Sequence, residues 1–242
     1  WSLGFPALLS GDYWFIENGI FSIPWASPFK CGGYPYYANN AYFTVAQWLT
    51  FVFEPTTAVR ATLIVFATLG FWGFYLLMHR SFSCSREAAV LAGTLFMFNG
   101  FFTYRTIIGH FFHADMLVPV IALLCLKRKT THIIRSVSLI GLCFAYMVHA
   151  GTLQILPAMI VAIAGLLFLE AALFDWRIKP WLLLTLGGIL GIALSLSKLI
   201  AMTSLLHQFP RTYYTLPGID GIFNLLWLIF RVVFFNVPED TL

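Results

Sequence analysis

Thr57 to Met78 reads TAVRATLIVFATLGFWGFYLLM and runs directly into His79-Arg80. Roughly 20 predominantly apolar residues cross a bilayer's hydrocarbon core as a helix, so this run is a full span with a cationic turn behind it. Ala88 to Phe102 then reads as the return span. Met116 to Leu126 and Ser136 to Val148 are apolar but short for a crossing, Thr152 to Phe174 is ample, and Trp181 to Ser197 runs outward again. Short spans need either helices that extend into the polar turns or turns that dip below the surface. Irregular backbone at that depth is tolerated only where it lines protein or a watery cavity. Both arrangements put Gly109-His110 through Asp115 and His149 through Gln154 around one outward-facing recess. Ile222 to Phe235, interrupted by Arg231 and followed by Glu239-Asp240, reads either as a further span or as a segment lying in the interface.

Composition agrees with this pattern. Hydrophobic residues make up 60% of the 242, charged residues 10%, and the mean hydropathy is +0.84. A soluble domain carries roughly a quarter charged residues, so this chain has too few to cover its apolar surface in water. The predicted class is all-α, a polytopic transmembrane helical bundle. The net charge of +4 does not indicate nucleic acid, because the basic residues sit in turns where orientation in a bilayer explains them. His79-Arg80 with Arg86, Lys127-Arg128-Lys129 with His132 and Arg135, and Arg177 with Lys179 read as cytoplasmic turns. The turns between them face outward and carry His110, His113, Asp115, His149, His207, Arg211 and Asp220. Cys31, Cys84, Cys125 and Cys143 fall in an outer loop, an inner loop and two spans, which excludes a disulfide framework, and none has zinc-ligand spacing.

Trp1 to about Glu54 mixes Pro, Gly and Asn with Trp14, Trp25, Tyr34, Tyr36, Tyr37, Tyr42 and Trp48, a composition suited to the headgroup layer. Short interfacial helices are expected around Phe5 to Phe15 and Ala41 to Phe53. The domain reading is an extracytoplasmic segment, 1–56, and a transmembrane helical domain, 57–242. The chain starts at Trp1 without Met, and its outer segment has neither a signal peptide nor a span to insert it. A helix upstream of Trp1 and further chain beyond Leu242 are therefore expected.

Three constellations carry candidate chemistry. In Cys31-Gly32-Gly33-Tyr34-Pro35-Tyr36-Tyr37-Ala38-Asn39, paired glycines and Pro35 define a path, and Tyr34 and Asn39 are placed to contact a sugar or isoprenoid. Around Gly109-His110-Phe111-Phe112-His113-Ala114-Asp115, the two histidines would share a helix face and could ligate a divalent cation. The reading preferred is a polar wall of a substrate recess, with Arg105 set to bind phosphate oxygens; no cofactor is assigned, with a divalent cation as the alternative. In the third, Lys198 at an outward helix end is read as snorkelling, whereas Arg211, between Pro210 and aromatics, suits a lipid phosphate. No Gly-rich nucleotide cradle, nucleophile elbow or zinc-protease helix is present.

Phe21-Ser22-Ile23-Pro24-Trp25 with the Cys-Gly-Gly-Tyr-Pro loop, Phe98-Asn99-Gly100-Phe101-Phe102 with Arg105 and Gly109-His110, and Phe209-Pro210-Arg211 with Leu216-Pro217-Gly218 together resemble the GT-C superfamily of integral-membrane glycosyltransferases, and membrane proteins of the YfhO type. The resemblance implies a polyprenyl-phosphate sugar donor, a lipid, polysaccharide or protein acceptor, and a site on the outer face of a bacterial plasma membrane. It also implies an acidic base in the first outer loop. Asp12 and Glu17 are the candidates in this chain, although the superfamily's acid lies soon after a first helix that would precede Trp1. Arg105 and Arg211 would hold the phosphate, while Tyr34, Asn39, His110, His113 and His149 would line the donor and acceptor sites. The alternatives are a lipid or solute transporter and a non-catalytic membrane scaffold.

Overall fold

The computed structural model describes residues 4–24, 36–39, 41–107, 113–127, 132–208, 223, 224 and 227. Among them every regular element is helical. The chain divides into two compact units, Trp1–Leu205 and Leu206–Leu242, so residues 1–56 and 57–205 belong to the same unit. Among the described residues, nearly all of the regular structure lies in the first unit.

Helix α1, Gly4–Asn18, stops where Gly19 takes a left-handed conformation (φ +87°), the usual exit from a helix because glycine has no Cβ to clash there. A short turn of helix, α2, Tyr36–Asn39, precedes α3, Val45–Leu49. Thr44 starts α3 by accepting a hydrogen bond from the Gln47 amide at 3.2 Å. Leu8 of α1 and Ala46 of α3 are buried with Val59, which fastens both helices to the long helix that follows.

That long helix, α4, Pro55–Leu76, opens on a proline whose missing N–H costs nothing at a first position. It continues through a π turn, Leu77–Ser81. Pro55–Ser81 and α9, Leu156–Leu173, are each long and apolar enough to cross a membrane. Ile178–Leu194 (α10) and Leu196–Gln208 (α11) meet at a bend of 68°, and are apolar enough to make a third such segment if the bent pair forms one span rather than a re-entrant turn. Exposed apolar side chains, among them Ile64, Val65 and Leu69 on α4 and Val161, Phe168 and Leu169 on α9, leave these helices with apolar outer faces of the kind that contact lipid or another protein surface.

The expected single span from Ala88 to Phe102 is broken. Arg86–Met97 (α5) begins at Ser85, which accepts from the Ala88 amide, and a second helix, α6, Gly100–Ile107, follows. Asn99 separates them: its Oδ1 accepts from the Phe102 amide at 2.9 Å and its Nδ2 donates to the Phe96 carbonyl at 2.6 Å. The side chain thus ends one helix and caps the next.

The shortness of α7, Val118–Leu126, entered through a tight turn of helix at His113–Leu117, has a packing cause. Ile121, Ala122, Cys125 and Leu126 are buried in one cluster with Phe66 and Leu77 of the α4 segment, Ile140 and Phe144 of α8 (Ile133–His149), Ile163 and Leu167 of α9, and Leu183 of α10. An apolar helix of this length is more at home as a core element than as a span. Helices α8 and α10 make the most extensive helix pair, because glycines let the backbones meet. A Cβ on Gly191 would stand 2.5 Å from Phe144 Cβ, and one on Gly141 2.8 Å from the Leu190 side chain. Close backbone approach of this kind brings the two helices into dense van der Waals contact, the attraction available between helices whether or not the hydrophobic effect adds to it.

Candidate functional site

Two sets of turns gather at opposite ends of α4. At one end, the turn after α4 and the turn after α9 approach each other through Phe82 and Phe174, ring centroids 6.5 Å apart. Beside them Arg177 is paired with Glu170, a carboxylate only 2% exposed. The other end is covered by the N-terminal segment and holds most of the chemistry.

Asp12 sits half-buried on α1, where its Oδ1 accepts from Gln47 Nε2 at 2.6 Å and from Thr50 Oγ1. Burial pushes this carboxyl above the usual carboxylate range, against the two hydrogen bonds, which favour the charged form. Glu17, on the same helix, is exposed. One helical turn beyond Asp12, the buried Phe15 ring packs on Phe43 (5.7 Å) and stacks on Trp48 (5.4 Å). Phe43 meets His149 edge-on at 5.8 Å, and the Tyr37 ring lies 6.5 Å from the same imidazole. A continuous layer of rings therefore runs from the helix bearing Asp12 to the end of α8.

Lys198 closes that layer. It does not snorkel, as its place near a helix end predicts. It is 2% exposed, its Nζ donates to the Tyr37 carbonyl, and that nitrogen lies 4.8 Å from the centre of the Tyr37 ring. The amino group is held between a carbonyl and a π face, both of which attract positive charge. Tyr37 Oη and Ser197 Oγ are 3.1 Å apart, a second tie between α2 and α11. His149 hydrogen-bonds the Leu194 backbone and interacts electrostatically with Lys198.

His113 has a different setting from the open recess wall expected of it. It is 1% exposed, its Nε2 pairs with Tyr146 Oη at 2.7 Å, and its ring meets Phe66 edge-on at 4.6 Å. Tyr146 also accepts from the Val45 amide at 3.3 Å, so the His113–Tyr146 pair links α7's entry, α8 and α3. Arg105 on α6 stands over the Phe101 ring, 5.3 Å from its centre, and within electrostatic reach of Asp115. Asn39 ends α2. Tyr34, His110 and Arg211, with most of the Cys31 to Asn39 stretch, Leu216-Pro217-Gly218 and nearly all of Ile222 to Phe235, lie outside the described residues.

Among the described residues no group of three or more His, Cys, Asp and Glu side chains is placed to share a metal ion. Cys84, Cys125 and Cys143 are free thiols. The residues that sequence reasoning left aside are Gln47 and Thr50, which orient Asp12, and Tyr146, which orients His113. Their only sequence signal is a polar side chain within a largely apolar stretch. Compared with known proteins, the chain matches no family model, no curated protein and no solved structure. Function has therefore to be read from the chemistry of the side chains themselves.

Proposed function

We propose that this chain is the core of a GT-C-type membrane glycosyltransferase, moving a sugar from a polyprenyl-phosphate donor to an acceptor outside the cytoplasm. The observation that carries the reading is one layer of rings joining the helix of a half-buried carboxylate, Asp12, to a buried lysine, Lys198. Sugar transfer from a lipid phosphate needs a base for the acceptor hydroxyl and positive charge where the phosphate departs. It needs no nucleotide cradle, and the sequence contains none.

In this reading Asp12 takes the acceptor's proton, the acceptor oxygen attacks the anomeric carbon, and the bond from that carbon to the phosphate oxygen breaks with its electron pair passing to the phosphate. Lys198 stabilises the charge that develops there, with Arg105 as a further cation. Tyr34, Asn39, His110 and His149 line the donor and acceptor sites. His113 acts from beneath, holding Tyr146. The outer face carries this machinery, and the turns with Arg80, Lys127 to Lys129, Arg177 and Lys179 face the cytoplasm of a bacterial plasma membrane. A divalent cation is not needed for any of these steps.

The α10–α11 bend favours a second reading. Transporters place substrate groups at broken helices, and here a buried lysine stands at the break. Full-length protein in proteoliposomes, supplied with a polyprenyl-phosphate sugar labelled in the sugar and with membrane extract as acceptor source, separates the two. Release of polyprenyl phosphate with label passing to the extract is the expected result. Movement of intact donor across the bilayer, with no cleavage, would replace the transferase reading with the transporter.

A further inference from the structure

The turn between α9 and α10 shows large apolar side chains where a polar loop is the ordinary expectation. Glu170, in the last turn of α9, is only 2% exposed, and a carboxylate so enclosed is costly without a partner. Arg177 reaches back from the far side of the turn and donates to it. The Arg177 backbone is extended (φ −130°, ψ 131°), and in extended backbone neighbouring side chains point to opposite sides. The residues flanking Arg177 are turned outward: Trp176 is 66% exposed and Ile178 74%. Trp176 is nevertheless held. It stacks on Trp181, ring centroids 6.1 Å apart, and Trp181 packs in turn against the main apolar cluster.

The helices on either side indicate what covers these side chains. Helix α9 has 18 residues, about 27 Å at ~1.5 Å per residue, against a hydrocarbon core of ~30 Å. When it crosses a bilayer, the turn after Leu173 therefore comes to rest in the headgroup layer. Exposed apolar side chains reach the turn from both helices, Leu169 and Leu173 on α9 and Ile178 and Leu182 on α10. A tryptophan suits that depth, because its ring is apolar and its N–H finds polar partners there. Charge favours no particular headgroup. The cations of the turn, Arg177 and Lys179, are matched in number by Glu170 and Asp175, and Arg177 is already engaged by Glu170. We propose that the α9–α10 turn is an interfacial membrane anchor: Trp176 and Ile178 sit in the headgroup layer of zwitterionic phospholipid, and the Glu170–Arg177 pair is the latch that displays them. The anchor requires α9 to cross a bilayer and is independent of sugar transfer.

The test uses the full-length protein carrying fluorotryptophan, in nanodiscs of phosphatidylcholine, followed by fluorine NMR. The resonance that disappears in Trp176→Phe belongs to Trp176. In the otherwise unaltered protein it should be broadened severalfold by phosphatidylcholine bearing a nitroxide near the headgroup, and little affected by a water-soluble gadolinium chelate. Exchanging part of the phosphatidylcholine for phosphatidylglycerol should leave both effects unchanged. Arg177→Gln removes the latch and should reverse the pattern, with the chelate broadening the resonance more than the lipid nitroxide does. If that variant does not fold, Glu170→Gln/Arg177→Gln, which leaves no unpaired charge, takes its place. Broadening by the chelate alone in the unaltered protein would put Trp176 in water, and protection from both agents would put it under protein, either another part of the chain or a second copy; each would overturn the anchor. A lipid effect that appears only with phosphatidylglycerol would overturn the neutral headgroup, and an unchanged pattern without the ion pair would overturn the latch.

Discussion

Asp12 is oriented by the same side chains, Gln47 and Thr50, that fasten α1 to α3, so its ionisation bears on both stability and chemistry. Burial raises its pKa, which means the fold favours the protonated form. That contribution is fully present below the ordinary carboxylate value and is lost as pH rises through the raised one. A base must be deprotonated, so turnover should rise across the same window. We predict opposite trends: the thermal midpoint of the wild type relative to Asp12→Asn falls with increasing pH while wild-type activity increases. Parallel trends would separate Asp12 from the acid limb of the activity profile. Tyr146 illustrates a purely supporting role. Tyr146→Phe deprives both His113 Nε2 and the Val45 amide of their partner, and leaving such groups unpaired costs about 1–3 kcal/mol. A lower unfolding midpoint is expected; an unchanged one would contradict the arrangement.

Among the elements, the α8–α10 pair sets the spacing of the whole unit. Gly191→Leu would drive a side chain into Phe144 and Gly141 and should destabilise by about 1–3 kcal/mol or more, as overpacking does. At Gly188, three positions earlier on α10, an added Cβ would meet nothing within 4 Å, so Gly188→Ala should be neutral or stabilising by up to about 1 kcal/mol through helix propensity alone. Thermal unfolding of the two variants checks this, and equal effects would refute the glycine contact. Apolar length made α4 and α9 legible in the sequence, because a run of that kind has few alternatives to a helix. The interruption at Asn99 was not legible, since one polar residue inside an apolar stretch reads equally as a tolerated guest or as a cap. Nor was the glycine seam, because glycine marks close approach only once its neighbour is known.

For the molecule as a whole, hydropathy and the alternation of cationic and histidine-bearing turns could be read directly, as could the aromatic-rich character of the segment before α4. Burial of individual polar residues could not. Lys198 and His113 both sit near helix ends, where exposure is the ordinary expectation, yet contacts distant in sequence enclose them: Tyr37 covers Lys198, and Phe66 with Tyr146 encloses His113. The Tyr37–Lys198 contact completes the layer on which the functional account depends. Its most direct test is turnover of a polyprenyl-phosphate sugar by the full-length wild type, Asp12→Asn and Glu17→Gln, each confirmed by thermal unfolding to be folded at the assay temperature. Asparagine keeps an Oδ1 to accept from Gln47 and Thr50 but is no base. The account predicts a fall of about 100-fold or more in Asp12→Asn with Glu17→Gln close to wild type; wild-type turnover in Asp12→Asn would contradict it.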